Sequence, residues 1–221
     1  MTGPTTPLPE PDQQGDDEAE SDAASPHPLA IVQAGAVGLR RPSYPVDPRA
    51  IGSTELAQLI DALHAGLAAT PGVGLAAPQI DIPLRVVLVQ DPPEFHARVS
   101  EARLAELERG AVEPYVLINP ELEAVGEERR TFFEGCLSVD GYCALVERAR
   151  TVRARWLDPE GVHHEAQVSG WHARILQHEV DHLNGILYVD RMFTRSFMTT
   201  ANYVDWVGQP LSVVRDAFGL V

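Results

Sequence analysis

Two histidines and a glutamate form a compact chemical motif in the last third of the chain. His178, Glu179 and His182 belong to the sequence H-E-V-D-H, and on a helix the two histidines lie one turn apart on the same face. Both imidazoles can then bind one divalent metal ion. A carboxylate beside that ion can take a proton from an attacking water and return it to the leaving group. The motif indicates metal-assisted hydrolysis rather than a chance pair of surface histidines.

Two histidines leave a catalytic metal site one protein ligand short. Tyr188 occupies the position at which the longer motif H-E-x-x-H-x-x-G-x-x-H would carry its third histidine. Residues 183–221 contain neither Glu nor His, which excludes a glutamate ligand further along the chain. The remaining candidates are Cys136, which lies in E-G-C-L-S and is preferred on chemistry, Cys143, Asp190, Asp205 and Asp216.

A loop of small residues could approach a ligand closely. Residues 72–79 read G-V-G-L-A-A-P-Q, and the side-chain amide of Gln79 can donate a hydrogen bond to a developing oxyanion. A tight turn between a helix and a strand is the structural alternative. The loop lacks the Lys and Ser/Thr of a phosphate-binding loop.

Hydrophobic periodicity predicts the elements that must carry these residues. Ser53 can cap an amphipathic helix whose apolar side chains recur at positions 56, 59, 60, 63 and 67, until Pro71 and Gly72 end the pattern. A second helix over residues 169–184, ended by a left-handed Gly185, carries the histidines. Strands are predicted over residues 84–89, 115–118, 142–148, 151–157 and 162–168. Their consecutive hairpins imply antiparallel sheet.

Three other segments have less regular patterns. Residues 93–110 are charged and prone to form helix, which predicts a surface insertion. The arginines at positions 148, 150, 153 and 155 are interpreted as a solvated strand face, because alternation places the two pairs on faces that need not coincide. Beyond Arg191 the chain contains aromatic side chains without a clean period, so we expect irregular packing there.

The composition predicts one acidic globular domain with two distinct ends. The chain has 221 residues, 44% of them hydrophobic, and a formal net charge of −15, which suits a single core. Residues 1–28 carry seven acids and few large apolar side chains, so we expect disorder, as an interaction tail or a solvated extension. We expect a catalytic domain over residues 29–195 and a tail over residues 196–221 that packs on it.

The same composition argues against several functional classes. The excess of acids disfavours sequence-independent binding of DNA or anionic lipid. The sequence has no apolar run long enough to cross a bilayer, and its N-terminus does not resemble a signal peptide. Two cysteines are too few for a disulfide framework. These features predict a cytoplasmic protein.

Three segments together resemble the motifs of the peptide deformylase family, in the same order. They are G-V-G-L-A-A-P-Q at residues 72–79, E-G-C-L-S at residues 134–138 and Q-H-E-V-D-H-L-N-G at residues 177–185. The resemblance implies an α+β fold in which antiparallel sheets surround a central helix bearing the histidines. It also implies removal of the formyl group from N-formyl-methionyl peptides of bacterial-type translation. A metallopeptidase and a related binding protein without turnover are the alternatives.

The resemblance also implies roles for individual residues. The expected metal ligands are Cys136, His178 and His182. Glu179 is expected to be the general base and acid, while the Gln79 side chain and the Leu137 backbone N–H stabilise the oxyanion. The expected metal is Fe(II), and Zn(II), Ni(II) or Co(II) suit the same donors. The residues expected to bind substrate are Val73, Gly74, Phe132, Gly135, Trp171 and Ile175.

Two departures from the family pattern concern the rim of this site. Asp140 stands where proline is common, and Arg174 stands where an apolar residue is often found, so the rim is expected to differ. The expected partners are N-formyl-methionyl nascent peptides, met during transient proximity to the ribosome. After Arg191 the chain contains two arginines and two aspartates, so their charges cancel. This segment therefore provides no strong basic docking surface for the ribosome. A monomer is expected.

Overall fold

The computed structural model describes residues 30–97 and 99–220 as a mixture of helices and antiparallel strands. The predicted disordered extension, residues 1–28, lies outside this range. The helices of the described residues are α1 (Thr54–Ala68), α2 (Glu101–Leu107), α3 (Gly170–Leu183), α4 (Thr200–Tyr203) and α5 (Leu211–Phe218). The strands are β1 (Gly74–Ala76), β2 (Val86–Asp91), β3 (Val112–Ala124), β4 (Arg129–Cys136), β5 (Val139–Ala149), β6 (Thr151–Leu157), β7 (His163–Ser169) and β8 (Met198–Thr199).

The first helix forms where its apolar spacing predicts it. The Ser53 side chain accepts a hydrogen bond from the Leu56 backbone N–H at 3.2 Å, which caps the first turn. Leucines at positions 56, 59, 63 and 67 are all buried, because this spacing places them on one face. That face packs on β1 and β2 and forms one side of the core.

A five-stranded antiparallel sheet separates α1 from α3. Its strand order is β1-β2-β3-β6-β7. Side chains of β2 alternate between its two faces, so that Val86 and Leu88 join the cluster under α1, whereas Val87 and Val89 join the cluster under α3. The helix with the histidines is therefore held against a rigid sheet.

The second sheet, with the order β4-β5-β8, corrects part of the sequence interpretation. The strands near residues 142–148 and 151–157 were expected to form a hairpin, but β5 pairs with β4 and β8, whereas β6 pairs with β3 and β7. Alternation shows which residues share a face of a strand and does not encode which strand lies beside it. Strand β4 itself was not predicted, because its buried Glu134 interrupts the apolar pattern.

Two peripheral segments are ordered by specific contacts. The expected insertion, residues 93–110, contains α2 and is tied to β2 by an ion pair between Arg109 and Asp91 at 2.7 Å. Residues 198–220, the C-terminal segment, begin with β8, which pairs with the edge of β5. The Tyr203 ring then packs 4.9 Å from that of Phe133. None of the helices that the structure describes is long and apolar enough to span a membrane.

Candidate metal centre and catalytic cleft

Three donor side chains converge at the end of β4 and on α3. One ligand atom from each of Cys136, His178 and His182 lies within 4.8 Å of the other two. Cys136 Sγ lies 3.3 Å from His182 Nε2. The histidines meet because they are four residues apart on α3, and Cys136 is the last residue of β4. The structure thus brings together the three residues expected as ligands.

The other candidates for a third ligand lie elsewhere or have other partners. Cys143 is buried on β5, opposite Met198 of β8. Asp190 pairs with Arg40 and accepts a hydrogen bond from the Leu187 backbone N–H. Among the residues that the structure describes, the cluster able to hold a metal therefore contains Cys136.

Glu134 sets the orientation of His178. The Nδ1 atom of His178 lies 3.0 Å from Glu134 Oε2. Burial by itself would raise the pKa of Glu134, but hydrogen bonds from Arg148 and His178 outweigh it and hold the pKa well below its usual range. An ionised carboxylate can only accept, so Nδ1 carries a proton and Nε2 is the ring atom left to bind a metal.

Arg148 was expected on a solvated strand face, but the structure buries it. Its side chain is 3% exposed, and its guanidinium donates to both oxygens of Glu134, at 2.9 and 2.8 Å, and to Asp181 on α3. Arg174 also donates to Glu134 and to the carbonyl of Val146. Burial of these two positive charges is tolerated because each guanidinium donates to an ionised carboxylate. This network joins β4, β5 and α3 behind the donors.

Glu179, the residue next to His178 on α3, has a carboxylate oxygen without a partner in the described part of the chain. The residue is 4% exposed, and its Oε2 has no hydrogen-bond partner among the described residues. Burial raises the pKa of Glu179 to about 7. The carboxyl lies so close to β1 that a Cβ on Gly74 would overlap it. A buried carboxyl with a neutral-range pKa can accept and return a proton near neutral pH.

Gln79 presents its amide nitrogen to the same space. The Ala76 backbone N–H donates to Gln79 Oε1 at 2.8 Å, which fixes the orientation of the amide. Its Nε2 lies 3.3 Å from Ser138 Oγ and 3.7 Å from Cys136 Sγ. Leu137 lies in the turn between β4 and β5, and its carbonyl accepts from Gln33 at 2.9 Å. The arrangement can place donors beside a developing oxyanion.

A cleft opens above these groups. The residues expected to bind substrate that line it are Val73, Gly74, Gly135, Trp171 and Ile175. The lining also includes Phe133, whose ring packs against that of Tyr203. The Phe132 ring lies on the α3 side of β4, with its centroid 6.5 Å from that of Trp171 and the Arg174 guanidinium 5.2 Å above its face. Phe132 therefore supports Trp171, which lines the cleft.

Sequence reasoning missed several residues of the site. No role was expected for Glu134 or for its arginine partners, although the acid stands inside E-G-C-L-S. A charged residue between the aromatic pair Phe132 and Phe133 and the small Gly135 was the available signal, because such a residue is buried only with a partner. The exposed rim contains Tyr142 and Thr200, which come together through the pairing of β5 and β8. No local sequence pattern could have joined them.

The donor set fits a divalent metal. A thiolate and two imidazoles are a ligand set of catalytic zinc sites and suit other first-row metals. Desolvation would lower the pKa of His178, but its contacts with Cys136 and Glu134 outweigh it and raise that pKa well above the usual value. The environment therefore stabilises positive charge at this position, which a bound cation can supply in place of the proton.

Comparison with known proteins identifies relatives for most of this chain. A sequence model described as polypeptide deformylase matches residues 28–197. Peptide deformylase 3 of Streptomyces avermitilis is 45% identical over 182 residues, which are 81% of this chain and 78% of that protein. Peptide deformylase 1A, chloroplastic/mitochondrial, of Arabidopsis thaliana is 43% identical over 172 residues, or 78% of this chain. The chain spans 64% of the length of that plant relative.

A solved structure also resembles this fold. It is a Met-Ala-Ser-bound class I type b peptide deformylase from Acinetobacter baumannii, with a TM-score of 0.66 and 37% identity. The alignment covers 74% of this chain and 98% of that chain.

Proposed function

The chain belongs to the polypeptide deformylase family, and we propose that it removes the N-formyl group from formyl-methionine at the start of newly made proteins. The observation that carries this proposal is the convergence of three metal donors beside a buried carboxyl at the floor of a cleft. Membership of the family favours this activity over a metallopeptidase and over a binding protein without turnover.

Cys136, His178 and His182 would hold the metal, which we propose to be Fe(II). When bound, the ion would act as a Lewis acid that polarises the formyl carbonyl and lowers the pKa of the attacking water. Zn(II), Ni(II) and Co(II) fit the same donors. Metal analysis of protein purified without oxygen tests the choice, because a thiolate beside Fe(II) makes the site sensitive to oxidation.

The residues around the metal would carry the proton and the charge. The Glu179 carboxylate takes a proton from water as the water oxygen bonds to the formyl carbon. The amide of Gln79 and the backbone N–H of Leu137 donate to the oxygen on which negative charge develops. Glu179 then gives the proton to the amine nitrogen as the C–N bond breaks. The products are formate and a peptide with a free N-terminus.

The cleft wall would bind the methionine side chain. Trp171 and Ile175 are presented by α3 one turn apart, and Val73 faces them from the loop before β1. The Acinetobacter baumannii relative binds Met-Ala-Ser, which supports a peptide extending from this wall towards the rim. We propose Val73, Gly74, Phe132, Gly135, Trp171 and Ile175 as substrate contacts.

A three-substrate assay tests the activity. Formyl-Met-Ala-Ser, Met-Ala-Ser and casein are each incubated with the metal-loaded enzyme, and formate and new amines are measured. Release of formate from the first substrate alone is expected. Cleavage of casein would instead support the metallopeptidase alternative, and the absence of formate would refute the deformylase.

We further propose a monomer in the cytoplasm, a reducing compartment in which Cys136 stays a thiol. The catalytic domain would comprise residues 29–195, and residues 196–221 would pack on it. The acidic chain should bind the ribosome weakly at physiological salt, because like charges repel it from RNA. Tight, salt-resistant sedimentation with purified ribosomes would contradict this expectation. Deletion of residues 1–28 should raise any residual binding modestly.

A further inference from the structure

A second groove continues from the mouth of the cleft along the C-terminal segment. Tyr142 lines both the cleft and this groove. We use the name downstream groove for the surface formed by Tyr142, Phe197, Asn202, Asp205, Trp206 and Phe218. The family match ends at residue 197, so most of this surface lies beyond it.

Aromatic rings form the sides of the downstream groove. The rings of Tyr142 and Phe197 stack with centroids 4.9 Å apart and an interplanar angle of 7°, although they are 42% and 40% exposed. The Trp206 ring packs 4.8 Å from that of Phe218. Strand β8 pairs Thr199 with Tyr142, which fixes the C-terminal segment beside β5. The half-buried Trp206 and Phe218 adjoin the exposed pair within one groove, and exposed apolar surface of this kind beside a cleft is typical of an interaction site.

The position of the groove relative to the cleft indicates its occupant. A peptide whose formyl group lies beside Glu179 must leave the cleft across its exposed rim. One side of that rim is formed by Asp140, Gly141, Tyr142 and Thr200, and the Thr200 hydroxyl donates to the Gly141 carbonyl at 3.4 Å. Because Tyr142 lines both the cleft and the downstream groove, a chain that leaves the cleft over Tyr142 continues into the groove, and each further residue of an extended chain advances about 3.3 Å along it.

We propose that the downstream groove binds the substrate itself, namely the part of the nascent chain that extends beyond the cleft, and selects apolar or aromatic side chains there. This inference rests on the proposed function. Among the described residues that line the groove, the charged one is Asp205, so acidic substrate residues are disfavoured at the same positions. The C-terminal segment thereby acts as a specificity element of the deformylase.

Two peptides of equal length test this proposal with the metal-loaded full chain. One is formyl-Met-Ala-Ser-Ala-Phe-Leu and the other is formyl-Met-Ala-Ser-Ala-Ser-Ser, with formyl-Met-Ala-Ser as the reference. The KM for the apolar peptide is expected to be about fivefold or more below that for the serine peptide, which is the size of an aromatic contact. Trp206→Ala should remove most of this difference. Val204→Ala changes an exposed apolar side chain of the same segment outside the groove and should keep it.

A binding measurement separates recognition from turnover. Fluorescently labelled forms of the two longer peptides are titrated with the Glu179→Gln variant, and the dissociation constants should differ by the same factor as the KM values. Because Trp206 also contacts Phe218, Asp205→Lys provides a second variant that leaves the aromatic packing intact. It should improve binding of a peptide with Glu at position five relative to one with Lys.

The possible results discriminate between the two proposals. Absence of formate from the reference tripeptide would refute the deformylase activity. Turnover of the tripeptide with equal KM values for the two longer peptides would overturn the downstream groove alone. A shift in sedimentation of Trp206→Ala with an unchanged KM ratio would make the groove a contact between two copies, which also overturns the proposal.

Discussion

Gly74 is the residue whose replacement tests most directly the proposed role of Glu179. A Cβ added at Gly74 would lie 2.5 Å from Glu179 Cδ and 2.7 Å from its Cγ. Carbon atoms in contact normally lie about 3.5 Å or more apart, so the carboxyl must retreat by about 1 Å. The histidines can stay in place, because the side chain of Glu179 can move without its helix. A misplacement of about 1 Å in a catalytic group costs about a hundredfold in rate.

The assay compares kcat/KM for formyl-Met-Ala-Ser, metal content and the free energy of unfolding. Gly74→Ala should lose about a hundredfold in kcat/KM, retain its metal and lose about 1–3 kcal/mol of stability through overpacking. Gly110→Ala is the control, because a Cβ there meets nothing within 4 Å. A loss of less than about threefold with full metal content would refute the proposed dependence on the Glu179 position. Loss of the metal would show that the ligands moved instead.

Further predictions concern the ligands and their support. Glu179→Gln should keep the metal and lose about a hundredfold or more in turnover, because the proton carrier is gone; loss of the metal would make this residue a ligand. Cys136→Ser should release the metal and Cys143→Ser should retain it, and the reverse pattern in metal analysis would contradict the assignment. Burial raises the pKa of Cys143 to about 11, so this thiol is protonated near neutral pH. Its alkylation by iodoacetamide in the folded protein should be slow at about pH 8 and should accelerate about tenfold per pH unit until the pH reaches that pKa. Labelling is measured by mass spectrometry, and fast labelling of Cys143 at about pH 8 would contradict the prediction. Arg148→Met should lower the free energy of unfolding by about 3–5 kcal/mol, because it leaves buried carboxylates without their partner, whereas the partly exposed Arg153→Met should change it by about 0.5 kcal/mol or less. Equal urea midpoints for the two variants would contradict the buried network.

The helices illustrate which features could be predicted from sequence. Thr54–Ala68 and Gly170–Leu183 lie within about two residues of their predicted bounds, because apolar periodicity and capping residues act over a few positions of one chain. The left-handed Gly185, with φ of 73°, follows from the same local logic. The expected family and α+β fold are confirmed by the relatives.

The sheets illustrate what local patterns could not predict. Strands β5 and β6 are separated in sequence by Arg150 alone and belong to different sheets. Their alternation is compatible with a hairpin and with separation, since only long-range pairing distinguishes them.

The sequence by itself determined the chemistry of the two histidines and Glu179. Their spacing along one helix is covalent, and a helix converts that spacing into a common face without help from the rest of the chain. The tertiary structure decided which distant groups meet them. It brought Cys136 to the histidines, buried Glu134 and Arg148 behind them, and placed the C-terminal segment beside Tyr142. These contacts join residues far apart in sequence, and their formation depends on burial and strand pairing across the whole core.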